Sequence, residues 1–76
     1  MNQSKNIENI FIKIFSRIKT HELGLFEHAA KMAVHDELKR ITFLKEIKEQ
    51  IRDCRSSIIE VFGLEIIKDI ENIKLR

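Results

Sequence analysis

Three histidines recur at a constant interval, His21, His28 and His35. On one continuous helix that interval sets them along a single line, about 10.5 Å between neighbours. A helical metal site needs its ligands one turn apart, at i and i+3 or i+4. None of the three has a histidine or carboxylate at those offsets. A single copy therefore cannot chelate with this row, and a polar stripe at the edge of a helix is the favoured reading. A symmetric assembly that brought two rows together would make either a metal site or a pH-responsive contact.

The other reactive side chains lack partners. Cys54 is the only cysteine, so no intrachain disulfide or cysteine-rich zinc cluster can form. It falls on an apolar seam, which predicts a buried, inert thiol. Ser56 and Ser57 have no glycine elbow of the kind that presents a nucleophile. Asp36 and Glu37 are adjacent and point to different faces of a helix. With only Gly24 and Gly63, there is no phosphate-binding glycine loop. These observations predict a protein that is not an enzyme, with no cofactor.

One constellation suits binding. Lys45, Lys48, Arg52 and Arg55 form a basic line, and Glu46, Glu49 and Asp53 an acidic line one step round the same helix. Beside them runs the apolar seam Leu44, Ile47, Ile51, Cys54, Ile58 and Val61. Apolar, positive and negative strips side by side fit an antiparallel or heterotypic helical partner, because flanking charges set register and orientation. The predicted partner-binding residues are Ile47, Ile51, Ile58 and Phe62 as anchors, with Lys48, Arg52 and Arg55 for orientation. An ordinary solvated face, held by weak charge pairs, is the plainer alternative.

The elements that position these residues are helices. The 76-residue chain has no proline. Ile7, Ile10, Phe11, Ile14, Phe15 and Ile18 mark one face of a first helix, with Ser4 or Asn6 as its cap and Ile12 off the stripe. The chain reverses near residues 19–25, either through a left-handed cap at Gly24 or with Thr20 capping the next helix. A second helix then runs to about Phe62, carrying Phe26, Ala29, Ala30, Ala33 and Val34, then Leu38, Ile41 and the seam. Its two halves differ in register, so it drifts, bends near 35–43, or restarts at Asp36. Gly63 makes a turn or kink before a short last stripe, Ile66, Ile67, Ile70 and Ile73. An unbroken helix through Ile59, Phe62, Ile66, Ile70 and Ile73 is the competing reading.

The predicted fold is all-α: residues 1–76 as one helical domain, a hairpin or small bundle with a long central helix and a short C-terminal one. A chain this short buries only ~60% of its unfolded surface, and its stripes exceed what a hairpin covers, so a homo-oligomer or an obligate helical partner is expected. Charged residues make up 34% of the chain and the net charge is +2. Residues 1–24 carry four basic and two acidic side chains and the remainder ten of each, which sets the surplus in the first helix. Interleaved carboxylates argue against duplex DNA. No uncharged run approaches the ~18 residues of a membrane span, and the N-terminus lacks a signal peptide's apolar core. The expectation is a small cytoplasmic interaction protein: an adaptor, a regulator or a small chaperone. The alternatives are a dimeric nucleic-acid-associated regulator and, through the basic and apolar faces of helix one, an interfacial membrane-binding protein.

Overall fold

The computed structural model describes residues 3–73, as four helices in chain order: α1 (Gln3–Thr20), α2 (Gly24–Ala33), α3 (Glu37–Phe62) and α4 (Leu64–Asn72). There is no strand among the described residues. The expected central helix of about 40 residues is therefore two helices. Asp36 supplies the break: its extended backbone (φ −137°, ψ 110°) stops α2, and its carboxylate accepts from the N–H groups of Leu38 and Lys39. Capping of that kind satisfies donors that a helix start otherwise leaves free.

The first reversal uses neither expected device. Glu22 takes the left-handed conformation (φ 53°). Leu23 N–H donates to Ile18 O at 3.0 Å, and Glu22 N–H to Lys19 O at 3.4 Å. This is the paired closure of a Schellman motif, with Glu22 where glycine is usual. Gly24 instead opens α2 behind Leu23, which offers no side-chain cap. Ser4 and Asn6 lie inside α1 rather than at its cap. At the second reversal Gly63 has φ 89° and ψ 148°, a region open to glycine almost alone. The turn reading of Gly63 matches this backbone.

Three helix ends are finished by cations from elsewhere in the chain. Arg40 of α3 donates to Ala33 O and Val34 O at the end of α2 (3.3 and 2.8 Å). Arg17 of α1 donates through Nε to Val61 O at the end of α3 (2.7 Å). Lys48 of α3 donates through Nζ to Ile73 O behind α4 (2.8 Å). Each places positive charge at the negative pole of a helix and satisfies a carbonyl with no partner in its own helix.

The core follows from the stripes. Ile7, Phe11, Ile14 and Ile18 of α1 are buried, along with Ala30 and Ala33 of α2 and Ile67 and Ile70 of α4. From α3 come Phe43, Leu44, Ile47, Ile51, Ile58 and Phe62. Phe11 meets Phe43 edge-on at 5.7 Å, and Phe26 meets Phe62 at 5.3 Å. The Cα radius of gyration is 11.4 Å, the ~11 Å expected of a compact chain of this length. Breaking the long helix at Asp36 thus lets one copy hide the ridges that a hairpin would leave bare.

The seam along α3 departs from expectation at Cys54, which is exposed rather than buried. Its backbone is non-helical (φ −148°, ψ 62°), and its thiol donates to Gln50 O at 3.3 Å. The reason lies one residue on. An unbroken helix with Ile51 inward would also press position 55, one turn later, towards the core. Position 55 is an arginine, and burying an unpaired charge is costly. The distortion carries Cys54 and Arg55 to the surface, and Ile58 and Phe62 return to the core beyond it.

Candidate functional site

The four expected anchors, Ile47, Ile51, Ile58 and Phe62, are each 4% exposed or less. They belong to the core of a single copy: only edges of Ile47 and Ile51 reach surface hollows, and a partner could reach Ile58 and Phe62 only if the helices separated. The anchor reading is corrected accordingly. The physical reason is that α1, α2 and α4 all pack on α3, with Phe26 of α2 against Phe62, and so cover the faces that a straight central helix would present.

Two of the three expected orienting residues are also engaged within the chain. Arg55 makes a paired contact with Glu71 of α4, Nε to Oε2 at 3.0 Å and Nη2 to Oε1 at 3.2 Å. The hydrogen bond from Arg55 holds the Glu71 carboxyl below the ordinary glutamate range, with Lys48 and Lys68 adding to the effect, and Glu71 in turn raises Arg55. Lys48 closes α4 as described. Among the described residues Arg52 has no distant partner, lying 3.8 Å from its neighbour Asp53.

The histidine row does not survive the breaks. His28 lies on α2, whereas His21 and His35 stand in the segments before and after it, and all three are exposed. Among the described residues no three His, Cys, Asp or Glu side chains converge as a metal-ligand set. No helix among them is long and apolar enough to cross a membrane. The apolar face of α1 is packed inward, and Ile12, off that stripe, is 54% exposed. The N-terminal cations are dispersed too: Lys13 pairs with Asp69 at 3.4 Å, and Arg17 closes α3.

What the surface does offer is a furrow between α2 and α3. Ala29, Met32, Lys39, Thr42, Phe43 and Glu46 line one hollow of about 300 Å³. Phe26, Ala29, Phe43, Glu46, Ile47 and Gln50 line a neighbouring one of about 210 Å³. The hollows share Ala29, Phe43 and Glu46, so they form one continuous channel. Met32 is 52% exposed, and Leu38, one turn before Thr42 on α3, is 75% exposed. Scattered exposed hydrophobes are ordinary, but contiguous ones rimmed by charge mark contact surfaces.

Sequence spacing placed Leu38 and Ala29 on buried stripes and missed Phe43. Those assignments assumed one helix through residues 34–36. Once Asp36 restarts the chain, α3 turns Phe43 inward and leaves Leu38 outside. The signal was the Asp36 cap itself.

No protein-family model, no curated protein and no solved structure matches this chain.

Proposed function

We propose that this chain is a small helical interaction protein that works by helix packing rather than catalysis, and that the α2–α3 furrow is its docking face. The first occupant is a second copy of the same chain. The observation that carries this reading is the largely apolar channel with Met32 half exposed on its wall. Its apolar members supply affinity, and small Ala29 and Thr42 let a second helix approach closely.

Charge complementarity selects the second copy. Lys39 and Glu46 both stand on the rim, and Thr42 and Phe43 lie midway between them. If two copies of α3 cross antiparallel about a two-fold axis there, Lys39 of one faces Glu46 of the other, and the reverse holds by symmetry. Each lies only about 5 Å along the helix from the crossing point. A closed two-fold contact requires a self-complementary patch of this kind.

The test is molar mass by light scattering across a concentration series. The expected result is a rise from 9.0 kDa towards twice that value. Met32→Asp should hold the protein monomeric, Lys39→Glu should weaken the dimer, and Lys39→Glu with Glu46→Lys should restore it. A monomer at every concentration overturns the reading. So does a dimer indifferent to Met32→Asp.

A further inference from the structure

A second surface lies across α3 from the furrow. Lys45, Lys48, Glu49, Ile51, Arg52, Arg55 and Glu71 line a groove of about 660 Å³ where α4 packs beside α3. Lys45, Lys48 and Arg52 follow one line of α3 over two turns, ~10 Å along the axis. Arg55 stands past the Cys54 break. Ile51 and the alkyl stems of the basic side chains make the floor, as long cationic residues often do when their heads stay in water.

The groove is lined by more cations than carboxylates. Its four cations face two carboxylates, Glu49 and Glu71, a surplus of two.

The cations there are also of two kinds. Arg55 and Lys48 are fixed by Glu71 and by Ile73 O. They form a positive wall that needs little ordering when a ligand arrives, which lowers the cost of binding. Lys45 makes no ion pair or side-chain hydrogen bond among the described residues, and Arg52 has only the 3.8 Å approach of Asp53. Both can turn to an incoming anion without dismantling the fold.

We infer that this groove docks an acidic helical segment of a partner protein. Carboxylates at i, i+3 and i+7 on such a segment match the spacing of Lys45, Lys48 and Arg52, and an aliphatic side chain on the adjacent line covers Ile51. Helix-in-groove recognition works in this way, with apolar contact for affinity and charge for orientation. A single nucleic-acid strand fits less well. No aromatic side chain lines the groove for base stacking, and Glu49 and Glu71 would oppose its phosphates.

The experiment is fluorescence anisotropy with a labelled helical peptide bearing Glu at i, i+3 and i+7 and Leu on the adjacent line. A Gln-for-Glu version and an oligothymidylate serve as the other probes. The Glu peptide should bind and lose at least about tenfold in affinity between low and high salt, because exposed charges are screened. Lys45→Gln with Arg52→Gln should cost about tenfold while circular dichroism stays unchanged, since neither residue holds the fold together. Met32→Asp, on α2 and outside the groove, should leave peptide binding intact, so this inference and the self-association reading stand or fall separately. Equal binding of the Gln peptide overturns it, as does tighter binding of the oligothymidylate. Undiminished affinity in the folded double variant overturns it as well.

Discussion

Replacing Gly63 by alanine tests the backbone on which the α3–α4 arrangement depends, because the two readings of residues 62–64 predict opposite signs. At φ 89° and ψ 148° an L residue pays about 1–3 kcal/mol of conformational strain. Steric cost adds little: a Cβ there would lie 3.7 Å from Arg17 Nη1, ordinary contact with a flexible side chain. Against the strain, alanine narrows the unfolded ensemble and returns about 0.4–1 kcal/mol. The expected net loss is about 1–1.5 kcal/mol, a fall of ~5–10 °C in Tm for a domain of this size. Gly24→Ala is the matched control. Gly24 lies outside the left-handed region, and nothing stands within 4 Å of an added Cβ, so that variant should gain up to about 1 kcal/mol. Thermal and urea unfolding followed by circular dichroism measure both. If Gly63→Ala matches or exceeds the parent in stability, the chain crosses 62–64 as ordinary helix. In that case α4 does not fold back on α3 through a turn at Gly63.

Three further outcomes are expected. Glu22→Gly should raise Tm by a few degrees, because it relieves the ~1 kcal/mol an L residue pays in the left-handed conformation; a fall in Tm would contradict the assigned turn. Phe62→Ala should cost about 3–5 kcal/mol, much of the total stability of so small a domain, and a variant that unfolds at the parental urea midpoint would show that Phe62 is not core. The Arg55–Glu71 contact should make stability acid-sensitive. Because the folded state holds Glu71 below its ordinary range, its contribution is present above that range and is lost as the pH falls through the lowered folded value. Glu71→Gln should therefore be less stable than the parent near neutrality and converge with it in acid, as followed by urea midpoints across pH; a gap independent of pH would remove Glu71 from the account.

Local periodicity made some of this legible. The face of α1 is as spaced: Ile7, Phe11, Ile14 and Ile18 are buried and Ile12 is out. The stop at Gly63 and the stripe of α4 were readable because a glycine interrupts one apolar register and opens another. Asp36 was harder, since an aspartate inside a helical pattern reads equally as a solvated residue or as a cap. The break at Cys54 has neither glycine nor proline behind it, and only the conflict between Ile51 and the charge at position 55 announces it. The tertiary roles of Arg17, Arg40 and Lys48 left no local signal at all. A long basic side chain on a helix face looks the same whether it faces water or reaches a carbonyl 44 residues away, as Arg17 does. The basic line on α3 was visible as a pattern, but which of its members the fold consumes depends on where α4 comes to rest.

The borrowed cations at the helix ends imply an order of dependence. All four helices close partly through their own backbone, but α2 and α4 also lean on side chains from α3, and α3 on one from α1, whereas among the described residues α1 takes none. A fragment cut anywhere along that chain of debts inherits a frayed terminus. Hydrogen exchange should consequently find the last turns of α2, α3 and α4 opening together with the whole molecule instead of piecemeal, and α1 should be the segment whose removal no other part can absorb.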